Sequence, residues 1–205
     1  MAGPHASDSD ASRTTALAWA DRKVIVAITG GVAGYKVATL VSRLVQSDAA
    51  VRVLMTDAAT RFVGPLTFES LTGQNVITSI WQSPEHRESP HVALARWCDL
   101  LIVAPASADI IAKLAAGICD DIVSLVSCAL PGTTPVLLAP AMNEQMWSNP
   151  VTQRNVSTVK GILGYHCVGP TEGWQACRTN GPGRMSEPQD IEQAARALLG
   201  GGGSV

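Results

Sequence analysis

Aromatic side chains make up only 4% of this 205-residue sequence, so its core must be built mostly from aliphatic residues and alanine. Charge is scarce too: Asp, Glu, Lys and Arg total 16%, with a formal net charge of −2. A near-neutral chain with no block of like charge lacks the electrostatic footprint of a nucleic-acid binder. At 46% hydrophobic residues it is also too apolar for a disordered chain. No apolar run approaches the roughly 20 residues of a membrane span; the longest, Val24–Ile28 and Leu100–Ala106, are strand-sized. The N-terminus has no basic region followed by a long apolar stretch, as a secretory signal requires. Cys98, Cys119, Cys128, Cys167 and Cys177 are odd in number, scattered and without a CxxC pair. That excludes a disulfide framework and a zinc site, and with it any metal expectation. The compartment expected is the reduced cytoplasm.

What is present begins at Lys23. Residues 1–21 alternate Ser and Asp with small residues and read as a disordered tail, residues 22–199 as one domain, and 200–205 as a flexible end. Val24–Thr29 is a β-branched run ending at Gly30-Gly31, and Val37, Leu40, Val41, Leu44 and Val45 follow at helical spacing. Val51–Thr56 and Leu100–Ala104 read as further strands, as do Asn75–Ile80, Pro135–Ala139 and Gly164–Val168. Helical patterns occupy Ala58–Leu71 (broken at Gly64-Pro65), Val92–Cys98, Ile110–Ile118, Ile122–Leu130, a segment from Val151, and Asp190–Leu199. Residues 169–188 read as a Gly/Pro-rich loop.

Short strands that are apolar throughout and alternate with helices imply a parallel sheet covered on both faces. The fold expected is α/β: a single doubly wound, Rossmann-like (flavodoxin-like) domain. Ligands in such sheets bind beyond the carboxyl ends of the strands. Gly30-Gly31, Thr56, Ala104–Asp109 and Ala139–Asn143 all lie at such ends.

Each candidate has a plain structural alternative. The Gly30–Gly34 turn can offer backbone N–H groups to a phosphate, or be only a tight strand-to-helix connection. Ser107 can donate to a phosphate, or only cap the next helix. His91, beside Val92-Ala93-Leu94, is by spacing alone more readily a structural histidine than an acid–base group. The segment Pro140-Ala141-Met142-Asn143-Glu144-Gln145-Met146-Trp147 is either a hydrophobic plug or an Asn amide held between Met and Trp walls.

That last segment carries a PxMNxxMW pattern, and with it the chain resembles the flavin-dependent cysteine decarboxylases. The resemblance extends to the Gly30-Gly31 turn, His91-Val-Ala-Leu94, Ala104-Pro-Ala-Ser-Ala108, and Ala176-Cys177 with Gly181-Pro-Gly-Arg-Met185-Ser-Glu-Pro188, in order over residues 23–190. Within that family the likeness is greatest to the branch acting in coenzyme A biosynthesis. It implies FMN-dependent oxidative decarboxylation of a C-terminal cysteine, 4'-phosphopantothenoylcysteine giving 4'-phosphopantetheine. The flavin would oxidise the cysteine to a thioaldehyde, carbon dioxide would leave, and the ene-thiolate would then be reduced. His91 would be the acid–base group, Asn143 would bind the substrate carboxylate or amide, and Cys177 would donate a proton. Gly30, Gly31, Val32, Ser107, Ala108 and Ala141 would line the FMN site, with Thr56, Ala58 and Asp109 beside them. Met142, Ala176 and Met185 would face the substrate. A homotrimer or homododecamer with sites at subunit boundaries is implied.

Two positions depart from the family pattern: Asp109 stands where an amide is usual, and Arg178 where a glycine is usual. Two other functions remain open. One is a peptidyl-cysteine decarboxylase acting on a precursor peptide, whose members typically lack the Cys177 thiol. The other is a non-catalytic flavin-binding regulatory subunit.

Overall fold

The computed structural model describes residues 19–82, 89–174, 178 and 180–200. Lys23–Ile28 (β1), Ala50–Met55 (β2), Leu100–Ala106 (β3), Val136–Pro140 (β4) and His166–Cys167 (β5) pair in parallel, in the order β2-β1-β3-β4-β5. Burial explains why these strands read as unbroken apolar runs: β3 and β4 are buried at every residue, and β1 at every residue after Lys23. Side chains alternate across a pleated strand. Val24, Val26 and Ile28 therefore enter one hydrophobic cluster, and Ile25 and Ala27 enter the other.

The first cluster is closed by Gly34–Gln46 (α1), which contributes Val37, Leu40, Val41 and Leu44, by Phe68, and by Ile191 and Ala195 of the closing helix. Leu94, Ile110, Ile111, Leu114, Val123, Val126 and Val159 close the second. Both faces of the sheet are thereby covered, as expected. The strand order reverses between β1 and β3, the switch point beyond which the loops diverge and leave a crevice.

The helices between follow the expected pattern: Asp57–Thr60 (α2) and Pro65–Thr72 (α3) separated near Gly64, Pro90–Trp97 (α4), Ala108–Ala116 (α5), Ile122–Ala129 (α6), Pro150–Gly161 (α8) and Pro188–Gly200 (α9). Three expectations need correction, and one segment gains a helix. Trp19, assigned to the tail by composition, is fully buried in the first cluster. The expected strand at Asn75–Ile80 amounts to one bridge between Leu54 and Ile77. The Met-Trp segment contains a short helix, Glu144–Ser148 (α7), capped by Asn143. The loop expected at 169–188 contains an antiparallel hairpin, Thr171–Trp174 (β6) with Asn180–Arg184 (β7). Residues 1–18 and 201–205 lie outside the described part.

Candidate functional site

The site is built where β1 and β3 end. Thr29, the first residue after β1, is buried, and its hydroxyl donates to Pro105 O at 2.6 Å while accepting from Ser107 N at 3.1 Å. One side chain thus ties the two strand-to-helix turns together. Beyond Thr29 the chain runs through Gly30-Gly31. A Cβ on Gly30 would stand 2.7 Å from the Ala58 Cβ, so a side chain there would force the turn away from α2.

Helix α1 then begins at Ala33 with no side-chain cap. The first amides of a helix have no partners within it and carry partial positive charge, so an uncapped start facing a cavity suits an anion. On the β3 side, Ser107 Oγ caps α5 by accepting from Ile110 N at 3.3 Å, and its hydroxyl proton remains available to donate.

These turns open into a cavity of about 1090 Å³. Of the residues named from sequence, Gly30, Gly31, Val32, Ser107, Ala108, Ala141, Met142, Asn143 and Met185 all line it. The roof is joined to the floor by a backbone bond, Met142 N donating to Gly183 O of β7 at 2.9 Å. Asn143 Oδ1 accepts from Gln145 N at 2.8 Å, which fixes the acceptor end of the amide. Met146 lines the cavity, whereas Trp147 packs into the second core cluster; the aromatic side chains of the wall are Tyr35 of α1 and Trp174 of β6.

The remaining candidates lie elsewhere. Thr56 caps α2, its hydroxyl accepting from Ala59 N at 3.3 Å, and Ala58 sits behind Gly30. Neither is among the lining residues. Asp109 is 73% exposed and its carboxylate reaches Lys113 at 3.6 Å, away from the cavity. Burial works against the charge on Lys113, but hydrogen bonds from its ammonium to Asp120 and Asp121 more than offset this and raise its pKa. His91, in the first turn of α4, is half-buried and does not line the cavity of its own chain. Ala176 and Cys177 fall outside the described residues. Arg178 is exposed with φ 64°, a left-handed conformation that favours glycine. That accounts for the glycine usual there in the family it resembles.

Cys98, Cys119, Cys128 and Cys167 are free, and burial pushes the Cys98 thiol up to about 12. Such a thiol is packing, not chemistry. No cluster of His, Cys, Asp or Glu among the described residues could hold a metal.

Sequence reasoning missed Thr29, Tyr35, Lys36, Trp174, Arg184 and Glu187. Thr29 had a signal: a polar residue closing an apolar strand just before two glycines. The others come from α1, the hairpin and the approach to α9; Arg184 and Glu187 are near in sequence, and the topology brings Tyr35 and Lys36 to them.

A flavin mononucleotide fits this setting. The cavity exceeds the roughly 300–1,000 Å³ typical of small-molecule sites, giving room for a flavin and a substrate together. Its floor supplies an uncapped helix start and a hydroxyl for a phosphate, and its walls are largely apolar.

A model of the Flavoprotein family matches residues 14–200. The coenzyme A biosynthesis bifunctional protein CoaBC of Haemophilus influenzae is 42% identical over 170 residues, covering 83% of this chain and 42% of that protein. The chain thus spans less than half the length of the curated relatives it matches first. Among solved structures, a Cys-to-Ser mutant of PPC decarboxylase complexed with pantothenoylaminoethenethiol aligns with TM-score 0.79 at 31% identity, covering 88% of this chain and 99% of that one. The FMN-dependent cysteine decarboxylase SpaF aligns with TM-score 0.76 at 30% identity, covering 89% and 99%. With the family match spanning the whole of the sheet and its cavity, the chain belongs to the Flavoprotein family.

Proposed function

We propose that the protein is an FMN-dependent carboxy-lyase that converts 4'-phosphopantothenoylcysteine to 4'-phosphopantetheine, a cytoplasmic step of coenzyme A biosynthesis. The observation that carries this reading is the convergence of the Pro140–Trp147 loop, through Met142 and Asn143, with the Gly30-Gly31 and Ser107 turns around one cavity.

A cysteine carboxylate has no electron sink of its own for losing carbon dioxide, and bound FMN supplies the reversible two-electron chemistry that provides one. The residues of this chain do the rest. The Gly30–Val32 turn and Ser107 would hold the flavin phosphate. Asn143, at the start of α7, would bind the substrate carboxylate or amide. Met142, Met146 and Trp174 line the cavity in which the reacting carbon would lie. Cys177 Sγ delivers the proton that completes the saturated thiol.

His91 is the acid–base group of this reading, yet it lies outside its own chain's cavity. A homotrimer, free or as part of a homododecamer, is the assembly proposed, with a neighbouring copy bringing its His91 to the site. His91→Asn then retains the flavin and loses about 10²–10⁴-fold of activity. A merely structural histidine would give a destabilised enzyme of normal turnover per folded molecule.

The deciding experiment incubates the flavin-loaded protein with phosphopantothenoylcysteine and follows carbon dioxide and the thiol product by mass spectrometry. Release of carbon dioxide with the saturated thiol supports the reading; a protein that takes up no FMN defeats it. The likeness to SpaF favours a second reading, decarboxylation of a C-terminal cysteine in a peptide. Cys177→Ser separates the two. A coenzyme A enzyme so altered accumulates a product two mass units below the saturated thiol, whereas a peptidyl-cysteine decarboxylase releases the unsaturated thiol in either form.

A further inference from the structure

The formally charged residues in the cavity wall fall in one cluster: Lys36 of α1, Arg184 at the end of β7, and Glu187 just before α9. Lys36 Nζ donates to Glu187 Oε1 at 2.9 Å, and Arg184 Nη2 donates to that same oxygen. The Lys36 side chain is only 14% exposed, so its ammonium has left bulk water to reach this position. The Lys36 hydrogen bond, and the nearby Arg184, hold the Glu187 carboxyl below its usual range. One carboxylate satisfies one cation. Here two cations converge on one oxygen and leave a positive charge in surplus on a concave wall, where field lines concentrate.

Arg184 is also placed by shape. A Cβ on Gly173 would come within 3.0 Å of its Nη1 and 3.1 Å of its Cδ, so the bare backbone of β6 is what lets the side chain lie across the hairpin. A guanidinium grips two phosphate oxygens side by side, while an ammonium adds a compact point charge. The Gly31 and Ser107 side of the cavity offers amides and a hydroxyl but no charge.

We infer that Lys36 and Arg184 form a phosphomonoester subsite in this cavity, with Glu187 holding both cations in position until the anion arrives. The inference rests on the proposed function, which requires room for two phosphomonoesters: the ribityl phosphate of FMN and the terminal phosphate of phosphopantothenoylcysteine. The uncharged turns serve the first, and the cation pair serves the second. The subsite would also separate the two readings of function, because a peptidyl-cysteine substrate has no phosphate to place there.

The test compares ligands that differ only in the phosphate. Calorimetric titration of the FMN-loaded full chain with 4'-phosphopantetheine and with pantetheine should show at least about tenfold tighter binding of the phosphorylated form, since charge-assisted hydrogen bonds are the strong ones. Arg184→Gln and Lys36→Gln should each remove most of that preference and leave pantetheine binding nearly as it was. Arg184→Lys, which keeps the charge without the fork, should restore part of it. A parallel arm titrates the flavin-stripped full chain with FMN and with riboflavin. A preference for FMN that survives both Gln variants assigns the subsite to the substrate, and one that collapses assigns it to the flavin phosphate.

If neither preference changes in either variant, the subsite is wrong. If the parent protein decarboxylates phosphopantothenoylcysteine but shows no preference for phosphate in either arm, the subsite fails while the proposed function stands. If it turns over no such substrate, the function fails, and the flavin arm still decides what the cations hold. Melting temperatures of each variant distinguish lost recognition from lost folding.

Discussion

At the carboxyl end of β3, helix α5 starts with the Ser107 hydroxyl accepting from Ile110 N–H; at the carboxyl end of neighbouring β1, helix α1 starts at Ala33 with no such acceptor. The two turns share one rim and one hydrogen-bonded bridge through Thr29, but only the first is complete in itself. Ser107 is in the extended conformation that lets a side chain fold back over its helix, while Ala33 is already helical. The glycines before Ala33 keep the turn pressed against Ala58 and the Pro105 ring. A self-capped helix start belongs to the framework, and an uncapped one beside glycines leaves room for an anion to finish the helix.

The sharpest way to break this contrast is at Gly30. Gly30→Val should displace the β1 turn and destabilise the flavin-free protein by about 1–3 kcal/mol, the usual cost of overpacking. It should also abolish flavin retention, read as loss of the yellow chromophore after gel filtration. A folded yellow variant would show that the turn has no part in flavin binding. Thr29→Val comes next, because it strips a partner from Pro105 O and Ser107 N at a buried place. The expected cost is about 1–3 kcal/mol in urea unfolding, with most of it recovered in Thr29→Ser. A loss in Thr29→Ser with none in Thr29→Val would mean that the methyl, not the hydroxyl, matters.

A paired measurement sharpens the comparison further. Ser107→Ala should cost about 1 kcal/mol, whereas Ala33→Ser should change stability by less than about 0.5 kcal/mol because a helical φ, ψ does not place a cap. A clear gain from Ala33→Ser would show that α1 was simply missing its serine. The smallest effect belongs to Asp109→Asn. Its carboxylate is mostly exposed and 3.6 Å from Lys113, which keeps Asp120 and Asp121 as partners. Stability should move by at most about 0.5 kcal/mol, and flavin retention should stay the same. A large loss of flavin would return Asp109 to the site.

The doubly wound sheet was legible because strands buried on both faces leave no room for polar alternation. Val24–Ile28 and Leu100–Ala106 announce this directly. The hairpin was not legible: Thr171–Trp174 and Asn180–Arg184 carry Gly and Pro at the positions a strand normally fills with β-branched residues. Trp19 was misplaced because the apolar run Ala16–Ala20 that holds it is too short to show a period. In the site, strand-end residues reach the cavity where the turn itself forms its wall, as with Gly30, Gly31, Ser107 and Asn143. Asp109 and Thr56 are set off that wall. Asp109 follows Ala108 on a helix, so its side chain turns about 100° away, and Thr56 is spent on its own helix start. Arg184 and Glu187 are only three residues apart, but nothing in the sequence brings the distant Lys36 to them before the chain folds.

The Thr29 bridge also divides the cavity floor by how readily its amide protons exchange with solvent. The Ser107 N–H is bonded to a buried hydroxyl at the end of a central strand, so its proton is released only when that part of the sheet opens. Val32, at 54% exposure in the uncapped turn, has no comparable protection. Deuterium uptake should therefore run orders of magnitude faster at residues 31–33 than at 107 in the flavin-free chain. An anion that completes the α1 start would slow the fast set and leave Ser107 where it was, giving a readout of occupancy that needs neither colour nor turnover.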